Sequence, residues 1–250
     1  MNRRRFLGSL AAALATELAP RCGFAVGKKT QLVIARAVYS GGNPEPHPDA
    51  LRRLIWEVVL RTSVEADYEF PEVRLDAPEL FNWPLVYLTG DREFAPWSEA
   101  QRSNLRRYLT LGGTLLVDDA AGRPASGFDQ SFRREVRGLI PGSALKRLGD
   151  EHSIFRSYYL VRGVGGRVIV SPFLEGIDVE DRTPVIYCRN DLGGAWARDR
   201  LGRWSYACVP GGEPQRLAAF KLGVNTVLYA MTVNYKQDQV HAPFIRQRMR

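Results

Sequence analysis

The chain has 250 residues, 45% of them hydrophobic and 25% charged. That length buries a large core without disulfides or metal, and the balance excludes disordered, collagenous, coiled-coil and disulfide-scaffold proteins. The net charge is +8, but only five of the 35 basic residues are Lys and the Arg residues are scattered among acids, so no nucleic-acid partner is expected.

The first element is an export signal over residues 1–25. Asn2-Arg3-Arg4-Arg5-Phe6-Leu7-Gly8 gives a basic start, Ser9 to Ala15 an apolar middle, and Ala15 or Ala25 a cutting point after small residues. The order of Arg3, Arg4, Phe6 and Leu7 resembles a twin-arginine signal, which places the protein in the periplasm or outside the cell, anchored if the signal is kept. These residues carry four Arg and one Glu, so the remainder keeps a charge of +5. No later apolar run approaches the roughly 18–20 residues of a membrane span.

Gln31 to Arg36 reads as a buried first strand, followed by a loop from Tyr39 to Pro44. Pro48 opens a helix whose apolar residues Leu51, Leu54, Ile55 and Val58 recur at helical spacing. Pro84 to Thr89 is the next strand. Ser98-Glu99-Ala100-Gln101 is a capping box, and Leu105, Tyr108, Leu109 and Leu111 supply the buried side of its helix before Gly112-Gly113 stop it. Thr114 to Val117 is a third strand running into Asp118-Asp119, and a short helix is expected near Ser131–Arg137. Gly163 to Gly166 reads as a hairpin-like turn rather than a phosphate loop, because a strand follows it and not a helix. Arg167 to Ser171 and Thr183 to Cys188 are two further strands, with Trp204 to Cys208 pairing back on the second. Glu213-Pro214 starts a last helix with Leu217, Phe220, Val224, Val227, Leu228 and Met231 on its core face. Residues 26–235 therefore form one α/β domain with a mostly parallel sheet and helices on both faces. A basic tail, 236–250, is either solvated or docks on a partner or anionic lipid. Cys188 and Cys208 are either bridged or two buried thiols.

Ligands of open α/β sheets sit beyond the C-terminal ends of the strands. Tyr39, Asp91, Asp118, Asp119, Asn190 and Asp191 fall there as an acidic, amide-lined rim. His152 is placed to fold onto it, and Trp196, which looks exposed after a strand, either lines a groove or packs under a loop. The expected function is an exported, non-catalytic ligand- or partner-binding domain, because no nucleophile elbow of Gly-x-Ser-x-Gly type exists. The alternative is a metal-dependent hydrolase of an envelope substrate such as a glycan, with Asp119 and Asp191 as ligands or base and His152 as ligand or acid. No cofactor is expected.

Several stretches share a wider resemblance: Ala35-Arg36-x-x-Tyr39, then Leu88-Thr89-Gly90, Leu105-Arg106 through Asp118-Asp119, His152-Ser153-Ile154-Phe155 before Tyr158-Tyr159, Lys221 to Asn225, and Asn234 to Asp238. Over residues 31–245 the chain resembles the domain-of-unknown-function family DUF4159. The resemblance implies a flavodoxin-like three-layer sandwich similar to class I glutamine amidotransferases. It also implies a gene neighbourhood of von Willebrand factor A-type and MoxR-type proteins as partners. The amidotransferase nucleophile, a Cys in the turn after a central strand, is missing: Asp118, Asp119 and Ala120 stand there, and Cys188 lies on another strand.

Overall fold

A computed structural model of the chain describes residues 31–248, with side chains described as far as residue 232. The expected export signal and Cys22 lie outside the described residues.

The apolar runs make the centre of the sheet. β1 (Ile34–Val38), β3 (Leu85–Gly90), β4 (Thr114–Asp119) and β7 (Arg182–Cys188) lie side by side and parallel. The last three are buried at every position, which is why they read as continuous apolar runs rather than alternating ones. β2 (Glu72–Arg74) adds in parallel outside β1. On the opposite edge β6 (Glu175–Val179) and β5 (Lys146–Arg147) add antiparallel, giving the order β2-β1-β3-β4-β7-β6-β5.

Among the described residues five α-helices cover this sheet: α1 (Ala50–Arg61), α2 (Glu99–Thr110), α3 (Gly127–Val136), α4 (Leu192–Trp196) and α5 (Gly212–Arg248). The period of two along each strand divides the core. Ile34, Leu85, Tyr87, Leu116, Ile186 and Cys188 pack under α1, α4 and α5. Val86, Leu88, Leu115, Val117, Val185 and Tyr187 pack under α2 and α3. The result is a flavodoxin-like, three-layer α/β sandwich. The same alternation sends the two carboxylates that end β4 to opposite faces, Asp118 under α4 and Asp119 under α3.

Local chemistry accounts for most element ends. Ser98 and Gln101 form the full capping box of α2, and Gly112 takes the left-handed conformation just past its end. The first helix starts after Pro48, with Asp49 at its N-cap. Gly127–Val136 is the helix expected near 131–137.

Several expectations change. Arg167 to Ser171 is not a strand: it makes one bridge, Val168 to Val209, because its amides are taken elsewhere. Trp204 to Cys208 does not pair with β7; β6 holds that place, and Trp204 bridges Arg198 instead. Gly163 to Gly166 is not a hairpin turn: Gly165 and Gly166 bring the backbone close to α5 and Asn190. Leu111 caps its helix at 70% exposure and Leu217 is also exposed, so neither joins the core. Cys188 and Cys208 are both free and buried. The backbone of the last helix continues to Arg248, through most of the segment expected as a tail. Among the described residues, no helix is long and apolar enough to cross a membrane.

Candidate functional site at the strand ends

Asp118 is fully buried. Its carboxylate accepts from the Tyr87 hydroxyl (2.7 Å) and from the amides of Leu192 (2.8 Å) and Gly193 (2.8 Å). Asp191, also fully buried, is the N-cap of α4 and sits in the left-handed region at φ 55°. Its Oδ1 accepts from the Gly194 amide (2.8 Å) and lies 2.9 Å from His47 Nε2, while Arg167 Nε donates to its Oδ2. The first amides of α4 are thus closed from within by two carboxylates of the chain itself. They are not open to an external anion.

Asp119 serves the other face. The Ser126 hydroxyl donates to it (2.6 Å) and accepts from the Asp129 amide (2.9 Å), so Asp119 braces the N-cap of α3. Tyr187 and Arg133 donate to Asp129 behind it. Asn190 is a brace as well. Its Oδ1 accepts from the amides of Val170 and Ser171, and its Nδ2 donates to the Ser171 and Val164 carbonyls. This binds the strap 164–171 across the end of β7 and takes the amides that a strand there would need. Tyr39 donates to the Thr89 carbonyl (2.6 Å), tying the ends of β1 and β3, and Asn43 donates to Asp91 (3.0 Å). Arg92 also binds Asp91 and, with Asn43, holds that carboxyl below its ordinary range.

Two expected members fall elsewhere. His152 is at the opposite end of the sheet. It bonds Thr183 at the start of β7 (2.9 Å), accepts from the Ile154 amide, and is held below the ordinary imidazole value by burial. Trp196 does not line a groove; the packing alternative holds. The side chain lies in the core under α5, stacked at a tilt against Tyr87 and Phe220. The set Asp119, Asp191 and His152 is therefore not brought together. Among the described residues no group of three or more His, Cys, Asp or Glu side chains is arranged to hold a metal ion.

What faces outward is different from the expected acidic rim. A cleft of about 400 Å³ opens beyond β1, β3 and β4, lined by Pro46, His47, Asp91, Ala120, Ala121, Arg123, Arg167 and Tyr206. The Ala120–Arg123 turn packs tightly on Arg167: a Cβ on Gly122, which has φ +63°, would lie 2.4 Å from the guanidinium. The His47 ring meets Tyr206 edge-on at 5.1 Å, and the Arg167 guanidinium lies 5.5 Å from the Tyr206 ring. Asp118, Asp119 and Asp191 are thus turned inward and satisfied, while two Arg, a His and Asp91 line the opening. His47, Arg123, Arg167 and Tyr206 are not among the residues singled out from the sequence as site candidates. His47 and Arg123 lie in loops after β1 and β4, where the strand-end rule already looks. Arg167 and Tyr206 come from the two segments misread as strands, and no sequence pattern marks them.

Burial, and then the charge of Asp191, push the Asp118 carboxyl up to about 7, while its three donors act against this. Burial also pushes Asp119 up to about 6. A carboxyl whose folded value is raised above the ordinary 3.9 or so keeps its proton in the fold after the unfolded chain has lost it. Its stabilisation is full below about pH 4 and is lost as pH rises towards the folded value. Asp118→Asn removes this term. Between pH 5 and 8 the variant is therefore expected to gain on the wild type by a few kcal/mol. Urea unfolding of both proteins at the two pH values measures this, and an equal gap at both would refute it.

A family model, Domain of unknown function (DUF4159), matches residues 33–231. No curated protein matches the chain. The matched stretch runs from β1 into α5 and so contains the sheet, the buried carboxylates at the strand ends and the whole cleft: the chain belongs to the DUF4159 family.

Proposed function

We propose that this chain is an exported, non-catalytic binding domain that takes the anionic group of a ligand or envelope partner in the His47–Arg167 cleft. One observation carries the reading. Arg123 is exposed at the cleft and has no ion pair or hydrogen bond among the described residues, whereas Asp91, Asp118, Asp119 and Asp191 are all engaged. A cation left over beside satisfied acids favours an incoming anion. His47 adds a second open valence: Nε2 is held by Asp191 while buried Nδ1 has no partner.

The non-catalytic part of the reading rests on the lining, which offers no Ser, Thr or Cys as nucleophile. The turn after β4 holds Asp118, Asp119 and Ala120, and Cys188 is buried with its thiol pushed well above its ordinary value. This is consistent with an amidotransferase-like domain that lacks the amidotransferase nucleophile. Export is supported by the basic-apolar order of residues 2–15, and partners from a von Willebrand factor A-type and MoxR-type neighbourhood belong to the same proposal.

The test is a thermal melt of the full chain against phosphate and sulfate, with ionic strength held constant by chloride. An anion at a hundred times its dissociation constant stabilises the fold by about 2.7 kcal/mol. The expected result is a rise in melting temperature that Arg123→Gln abolishes. No rise in the wild type, or an equal rise in the variant, would overturn the assignment.

A further inference from the structure

An inorganic anion needs little of what this cleft contains. About 400 Å³ lies within the range of roughly 300–1,000 Å³ typical of sites for whole organic molecules. The lining is polar at five of its eight residues, so an apolar ligand would leave Arg123 poorly solvated without a partner. It also includes one aromatic ring, Tyr206, 41% exposed and steadied by the His47 ring on one side and the Arg167 guanidinium near it.

The hydrogen-bonding pattern narrows the class further. Asp191 lies 2.9 Å from His47 Nε2 and holds that nitrogen. Nδ1 is buried and has no partner. Asp91 is an acceptor, half-buried beside Asn43 and Arg92. The cleft thus presents one unpaired cation, one unpartnered imidazole nitrogen, one carboxylate acceptor and one ring. That combination suits a molecule with a single anionic group, several hydroxyls, which both donate and accept, and a flat C–H face.

We propose that the cleft takes an anionic sugar. Its carboxylate or phosphate pairs with Arg123, one hydroxyl partners His47 Nδ1, another donates to Asp91, and its C–H face packs on Tyr206. This deepens the anion-binding reading and rests on it. The chemistry shared by a hexuronate and a sugar phosphate is an acid on a polyhydroxylated ring, and the two sources are separated by the probes.

Calorimetric titration of the full chain with glucuronate, glucose 6-phosphate, inorganic phosphate and glucose tests it. At least one acidic sugar is expected to bind tenfold or more tighter than both inorganic phosphate and glucose. Glucuronate above glucose 6-phosphate identifies a uronate, and the reverse identifies a sugar phosphate. Tyr206→Ala is expected to lose the advantage of the sugar over phosphate while keeping phosphate binding, and Arg123→Gln to lose both. If inorganic phosphate binds as tightly as the better acidic sugar, the sugar assignment fails and the anion site stands. If nothing binds, or glucose binds as well as the acids, both fail.

Discussion

Asp191→Ala is expected to destabilise the fold by about 3 kcal/mol, the lower end of what removing one partner of a buried ion pair costs. The lower end applies because the Arg167 side chain is 25% exposed and reaches water when its partner is gone. Three effects contribute. The Arg167 guanidinium and His47 lose their shared carboxylate, which is itself fully buried. The Gly194 amide loses its cap. Alanine must also take φ 55°, a region that Asp and Asn adopt at lower cost than Ala. Asp191→Asn separates these effects, since it keeps the left-handed backbone and an acceptor for Gly194 while removing the charge. Its cost is expected to be smaller than that of Ala. Urea unfolding with unchanged slope for all three proteins is the measurement. If Asp191→Ala falls within about 0.5 kcal/mol of the wild type, as neutral surface changes do, the inward role of this carboxylate is refuted.

The same residue shows how far the sequence could be read. The central strands were legible because burial on both faces demands continuous apolar runs, as in Leu85 to Leu88 and Val185 to Cys188. The edge strands were not. β2 is three residues long with exposed ends, and the two apolar residues of β6, Ile177 and Val179, are separated by Asp178. The strand-end rule found Asp118, Asn190 and Asp191 at the right end of the sheet, because chain direction and parallel pairing are enough to put them there. It could not tell that they point inward. Whether a carboxylate faces a ligand or a backbone amide depends on which amides arrive from elsewhere, and those of Leu192 and Gly193 come from more than seventy residues away. His152 was misplaced for a related reason. Its neighbours in sequence say nothing of Thr183, which fixes it at the far end of β7. The cleft residues Arg167 and Tyr206 stayed hidden because both apolar stretches around them look like strands. Only the capture of the strap's amides by Asn190 shows why the first is not.

That strap supplies the other large effect. Gly163, Gly165 and Gly166 stand within four residues, and the structure treats them differently. A Cβ on Gly163 meets nothing within 4 Å. On Gly165 it would lie 2.4 Å from the Ala219 amide nitrogen and 2.6 Å from the Gln215 carbonyl oxygen of α5. On Gly166 it would lie 2.1 Å from the Asn190 carbonyl oxygen. These are backbone atoms, which cannot rotate away as a side-chain tip can. Gly165→Ala and Gly166→Ala are each expected to cost about 3 kcal/mol, the upper end of the range for overpacking. Gly163→Ala is expected to be neutral or to stabilise by up to about 1 kcal/mol, through a stiffer unfolded chain. Three parallel urea titrations decide the matter, and equal effects at the three positions would refute the close approach. The consequence extends to the cleft. Gly166 precedes Arg167, whose amide donates to the Asp191 carbonyl (2.9 Å), and the Gln215 side chain donates to the Gly166 carbonyl (2.7 Å). A strap pushed off Asn190 carries the Arg167 guanidinium away from Asp191 and from the Tyr206 ring. In whatever fraction of Gly166→Ala remains folded, anion affinity is therefore expected to fall, whereas Gly163→Ala is expected to keep it.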